Sequence, residues 1–161
     1  MEKSVKIVPA QEQHMEEVCD ITIKAWTPIR EVARRELGDE LFEAFFANWQ
    51  EAKKADVTLL MTSGRGFVAT LDDKVVGFIS YRVIKDGKVG VICENAVTPD
   101  CRGMGIAPKM YNFVIEKMRE EGVLYAKVHT GLDDGHAPAR RAYQKAGFEK
   151  SLPSIDYFMK I

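Results

Sequence analysis

Residues 101–110 read CRGMGIAPKM, with small residues at Gly103, Gly105 and Ala107, one arginine, and a proline where helical spacing begins. Glycines let a backbone come close to a ligand, and the free N–H groups of a helix start, at the positive end of its dipole, attract anions. Arg102 adds a charge that can pair with phosphate. The run is not GxGxxG and lacks the GK[ST] ending of a nucleotide phosphate loop. On its own it reads equally as an anion site or as a plain turn into a helix.

Two further residues could move protons. Glu94, in ICENAV, stands on a strand leading to the glycine run, where alternation places it with Ala96 on one face and Asn95 with Val97 on the other. Tyr143, in HAPARRAYQKAGF, has Ala139, Ala142 and Ala146 around it on a short helix, which turns its ring inward with space beside it. Cys93 and Cys101 flank the same region; a covalent acyl-cysteine can be imagined there, but a small buried thiol is the blander reading. With Cys19 they make three widely spaced cysteines, and His14, His129 and His136 are equally scattered. Neither a disulfide framework nor a metal site follows from such spacing.

These residues have to be held by an ordinary globular chain. It has 161 residues, 46% hydrophobic and 29% charged, which is enough for one domain, 1–161, with a real core. A net charge of −1 leaves no basic excess for a nucleic-acid backbone or an anionic membrane, so neither partner is expected. The opening MEKSVKIVPAQEQHMEE has no apolar run of signal-peptide length, and no later stretch approaches a membrane span. A reducing cytoplasm is the default expectation.

The elements follow from periodicity. VKIVP predicts a first strand, His14 to Trp26 a helix, and the region from about Ile29 to Lys54 a second helix after an interruption at Pro28. DVTLLMTS at 56–63 fits a helix end, a strand or a loop. GFVATL and VVGFISYRVI, then a strand from about Lys88 to Val97 behind an Asp86-Gly87 hairpin signal, predict an antiparallel meander covered by helix. Ala107, Met110, Tyr111, Val114, Ile115 and Met118 keep one buried helical face, started by Pro108 and ended by Gly122. VLYAKVHTGL predicts another strand, Ala137–Ala146 a short helix capped by Gly147, and IDYFMKI a final strand.

Residues 88–109, KVGVICENAVTPDCRGMGIAPK, resemble the acetyl-CoA binding motif of the GNAT acyltransferases. That family's Q/R-x-x-G-x-G/A signature is matched by Arg102, Gly105 and Ala107, after a strand that ends Val97-Thr98-Pro99. A second family pattern, N-x-x-A-x-x-x-Y-x-x-x-G-F, is matched by Ala139, Tyr143, Gly147 and Phe148, with His136 in place of asparagine. The order of elements is similar to the family along nearly the whole chain.

The resemblance implies an α/β (α+β) GNAT acyltransferase fold: a mixed, mostly antiparallel twisted sheet flanked by helices, split between the strands near 88–97 and 123–132. It implies acetyl-CoA as co-substrate and no metal. The turn amides of Arg102, Gly103, Met104, Gly105, Ile106 and Ala107 would receive the pyrophosphate, and pantetheine would pair near Ala96 and Val97. His136 and Ala139 would border the cofactor, with Asp133 or Asp134 able to take over the helix cap and Arg140 and Arg141 near the adenosine 3′-phosphate. Acetyl would pass directly, in a ternary complex, to a primary amine of a small molecule, peptide or protein. Tyr143 would be the acid that protonates the leaving thiolate and Glu94 the likeliest base, acting through water. The acidic residues Glu36, Asp39, Glu40 and Glu43 would suit a cationic acceptor, and Phe42, Phe45, Phe46 and Trp49 are mostly core, in part a roof for its pocket. Homodimers are common in the family. A CoA-binding sensor without turnover is the alternative on the same fold.

Overall fold

The alternating apolar segments of the middle of the chain pair as expected. In the computed structural model, which describes residues 4–161, β1 (Lys6–Pro9), β2 (Gly66–Leu71), β3 (Lys74–Ile84) and β4 (Val89–Val97) form an antiparallel meander. A fifth strand, β5 (Tyr125–Val128), joins β4 in parallel at the sheet's edge. Across Asp86 and Gly87, at φ 55° and 81°, the Lys88 amide donates to the Lys85 carbonyl at 3.1 Å, so the hairpin signal marks the turn. The ladder itself closes at Ile84 opposite Val89.

Helices cover both faces. Val18 and Ile21 of α1 (Met15–Phe46) and Val57 and Met61 of α2 (Trp49–Met61) pack on Val68, Val75 and Phe78. On the other face, Met110, Tyr111, Val114 and Met118 of α3 (Ile106–Glu120) and Tyr143 of α4 (Ala137–Lys145) pack on Ile79, Tyr81 and Ile92. Each large apolar side chain so buried contributes about 1.5–3 kcal/mol. Glycine brings α3 close to the sheet at Gly90, where a Cβ would stand 2.4 Å from Met118 Sδ. No helix among the described residues is long and apolar enough to cross a membrane.

Three expectations change. Pro28 does not interrupt: α1 runs through it, because Lys24 and Pro28 lie on the solvent face, where the carbonyl deprived of its N–H partner is open to water. The helical breaks come later, at Gly38 (φ 75°, ψ 165°) and at left-handed Asn48, and DVTLLM completes α2. IDYFMKI forms no strand. Its alternation survives, but Phe158 turns onto Phe45 of α1, with ring centroids 5.0 Å apart, and Lys160 pairs with Glu40 at 2.5 Å. Leu152, Ile155, Tyr157 and Met159 are left exposed.

The α2–β2 corner is tight enough to test. A Cβ on Gly66 would stand 2.2 Å from the Met61 carbonyl oxygen, which belongs to backbone and cannot swing away. Gly66→Ala is expected to lower stability by about 1–3 kcal/mol, read as a lower urea midpoint at unchanged slope.

Candidate active site

The site begins where the sheet stops being a sheet. β4 and β5 pair only from Val89 with Tyr125 to Ile92 with Val128, and from Cys93 to Val97 β4 keeps β3 alone. A bulge lies at this point: Ile79 faces Asn95 and Tyr81 faces Ile92, so Ser80 stands against both Cys93 and Glu94. The extra residue resets the alternation and re-aims side chains, as bulges do. Ile92 and Asn95 consequently share the α3–α4 face, while Glu94 turns to the α1–α2 face with Ala96.

The chain then enters the glycine turn. Gly103 and Gly105 sit at φ 78° and 74°, which L side chains rarely adopt, and Gly105 is the N-cap of α3. No acceptor among the described residues takes the amides of Gly103, Met104, Gly105, Ile106 or Ala107, and nothing lies within 4 Å of a Cβ built on either glycine. Arg102 and Met104 are exposed beside the turn, Ile106 is buried, and Ala107 and Val97 pack at the margin of the α3 core. Donors without acceptors, open space and a helix start suit a phosphate-bearing ligand.

Tyr143 is buried across the gap, against Tyr111 (centroids 5.2 Å apart) and Phe148. One amide joins the two tyrosines. Tyr111 Oη donates to Asn95 Oδ1 at 3.0 Å, and Asn95 Nδ2 donates to Tyr143 Oη at 3.0 Å and to the Cys93 carbonyl at 3.1 Å. The Tyr143 hydroxyl thus receives a hydrogen bond at its oxygen; its own proton reaches Oδ1 at 3.5 Å, the far limit of such a contact. Burial raises the pKa of both phenols: that of Tyr111 rises well above its usual range, and in Tyr143 burial outweighs the bonds to Asn95 and Tyr111, with the Glu94 charge adding to the rise. Tyr143 is a held, protonated phenol.

On the other face, Glu94 Oε1 accepts from Lys53 Nζ at 2.6 Å. Lys53 lies 4.5 Å over the Trp26 ring. His136 is the N-cap of α4; its Nδ1 meets Asp133 Oδ2 at 2.5 Å, and Asp133 Oδ1 accepts from the His136 amide, so the aspartate caps the short turn Asp134–His136 that leads into α4, and α4 itself has no side-chain cap. Ala139 packs beside Tyr143 in the same cluster. Arg140 is turned inward, donating to the carbonyls of Gly131 and Asp133 at 2.7 Å each, which removes it from the positions open to a phosphate, while Arg141 is exposed. Burial pushes the Cys93 thiol up, away from a reactive thiolate. The acidic residues Glu36, Asp39, Glu40 and Glu43 of α1 are spent on exposed ion pairs: Asp39 and Glu43 with Arg34, Glu36 with Arg35, Glu40 with Lys160. Of the aromatic stripe only Phe42 is core; Phe45, Phe46 and Trp49 line a hollow of about 200 Å³ with Arg30 and Lys53.

Tyr111, Lys53 and Arg30 have no place in the sequence motifs, and Asn95 lies in the 88–109 stretch but matches none of its signature positions. Tyr111 reads as core from its helical spacing, and Asn95 carries one signal, a polar residue on the face that should be buried.

The sequence model of the Acetyltransferase (GNAT) family matches residues 26–148, more than half of the chain, and the protein belongs to that family. Solved structures of the same fold include the aminoglycoside N-acetyltransferase AAC(6')-Iy in complex with CoA, at 17% identity over 100% of this chain and 98% of that one, TM-score 0.69. Others are the ribosomal-protein-S18-alanine N-acetyltransferase of Escherichia coli (15%, 92% and 80%, TM-score 0.66) and the PaiA N-acetyltransferase of Thermoplasma acidophilum in complex with coenzyme A (14%, 91% and 90%, TM-score 0.67). No curated protein sequence matches the chain.

The raised phenols make stability pH-dependent. Tyr81, buried and hydrogen-bonded to Glu121, is pushed up to about 12 from 10, so between those values the folded chain holds a proton that the unfolded chain has lost. Stability is therefore expected to fall as pH rises above about 10, and Tyr81→Phe to flatten the fall, read from urea midpoints across that range.

Proposed function

We propose that the protein transfers an acetyl group from acetyl-CoA to a primary amine within a ternary complex. The observation that carries this reading is the Tyr143–Asn95–Tyr111 array at the mouth of the split, in which the Tyr143 oxygen accepts from Asn95 and its own proton has a long contact to Oδ1 at 3.5 Å. Acetyl-CoA supplies the thioester carbonyl that the amine attacks. The amides of Arg102 to Ala107 hold the pyrophosphate, with Arg102 at its rim, although the Arg102 amide also reaches the Pro99 carbonyl at 3.2 Å. The free edge of β4 at Ala96 and Val97 aligns the pantetheine, and His136 and Ala139 border it.

Glu94 takes the proton of the incoming ammonium. Its Oε1 is held by Lys53, which leaves Oε2 for the amine or a bridging water. As the new N–C bond forms and the C–S bond breaks, Tyr143 gives its proton to the departing sulfur, and the second proton lost by the nitrogen passes through water to return the tyrosinate to a phenol. Tyr111 fixes the Asn95 amide, and the amide fixes the direction of that proton. The family relatives named above act on an aminoglycoside and on a ribosomal-protein alanine, which supports small-molecule and protein amines alike as acceptors. A cytoplasmic location and a homodimer, built through the exposed apolar tail, belong to the same reading.

Three experiments test it. Mass analysis of products from acetyl-CoA and a pooled amine library is expected to find acetylated amine; CoA binding with no product would instead favour a sensor. Tyr143→Phe is expected to lower kcat about 10²–10³-fold with little change in acetyl-CoA affinity, the range of a lost general acid. Asn95→Asp, whose carboxylate would accept the Tyr143 proton, is expected to lower kcat similarly at unchanged folding. Undiminished turnover in Tyr143→Phe removes the acid assignment.

A further inference from the structure

The hollow on the α1–α2 side of β4 holds an unspent charge. Arg30 stacks on Phe46 at 4.4 Å and lies 5.9 Å from the Trp49 ring, and its Nε is buried with no acceptor. Arg34, Arg35, Arg65 and Arg119 each hold a carboxylate, but none stands within ion-pair distance of Arg30 among the described residues. Burying one guanidinium donor without an acceptor is costly, and a carboxylate from outside that meets the half-buried Arg30 fork removes that cost. Arg30 also lines a second, adjoining hollow of about 150 Å³, so it stands between the two spaces.

The surroundings define what fits. Phe45, Phe46 and Trp49 give the first hollow apolar walls, Lys53 adds a second cation, and the acid within it, Asp56, is exposed at its rim. Lys53 ties the hollow to Glu94, and Arg30 feels the Glu94 charge. A polycation would set ammonium groups against Arg30 and Lys53. A zwitterion can place its ammonium toward Glu94 and its carboxylate on Arg30.

We propose that the acceptor is a primary amine that carries a carboxylate, bound by Arg30 within the aromatic hollow beside Lys53 and Glu94. This rests on the acetyltransferase reading for the word acceptor, but the binding itself does not need turnover. The two tryptophans of the chain, Trp26 and Trp49, both stand at this place and report occupancy by fluorescence.

The test titrates the CoA-loaded protein with L-amino acids, each against its own C-terminal amide, and with the aminoglycoside sisomicin. At least one amino acid is expected to bind about tenfold or more tighter than its amide, and tighter than sisomicin. Arg30→Gln is expected to erase that preference at an unchanged thermal midpoint and unchanged CoA affinity, and Arg30→Lys to keep part of it. Equal binding of every acid and amide, or tighter binding of sisomicin, overturns the proposal. A carboxylate preference in binding with no acetylated product leaves the site standing and removes the acetyltransferase reading instead.

Discussion

The structure turns on the parting of β4 from β5 after Ile92 and Val128. A parallel pair that ended flush would leave no gap and no free strand edge; here β4 runs on for five residues with β3 as its one neighbour. Alternation makes that extension chemically two-sided, and the bulge against Ser80 decides which residue faces which helices. It delivers Asn95 to the tyrosines of α3 and α4, and Glu94 to the lysine of α2. One inserted residue thereby aims an amide at one face and a carboxylate at the other, within a single peptide unit of each other. The glycine turn follows immediately, so the open amides, the free strand edge, Glu94 and Asn95 come from one continuous stretch, to which α4 brings Tyr143.

The choice of an amide at position 95 has its own logic. A carboxylate there would accept from both tyrosines and would hold the Tyr143 proton for itself. An amide is directional: its oxygen accepts from Tyr111 at 3.0 Å, and its nitrogen donates to Tyr143 at 3.0 Å. Tyr111, buried to 3% exposure and packed on the Tyr143 ring, thus decides the orientation of a group it helps to bury. Packing and proton direction are one arrangement in this molecule, which is why a residue of the helical stripe reads as core alone.

Much of this was legible in the residues. Two-residue periodicity placed β2, β3 and β4 nearly to the residue, and the Gly103–Gly105 spacing marked the helix start with its open amides, because both signals are local. The opposition of Glu94 and Asn95 was also legible from alternation. What was hidden depends on distant partners. The bulge is written in the register between β3 and β4; Lys53 reaches Glu94 across 41 positions, and Tyr143 meets Asn95 across 48. Pro28 misled because a proline on a solvent-facing helical position sacrifices one water-accessible carbonyl and little else. IDYFMKI misled because alternation describes a strand's faces but names no neighbour to pair with.

That last segment has a consequence beyond its own shape. Phe45 stacks edge-on with Phe158 of the tail and also lines the hollow that contains Arg30. The accompanying Lys160–Glu40 pair is 72% exposed on both sides and contributes little, so the ring contact is the main hold on the tail. A wall shared in this way couples two events that lie at opposite ends of the sequence. Whatever fills the hollow and settles Phe45 also steadies the tail, and a tail withdrawn to other company loosens the hollow by the same free energy.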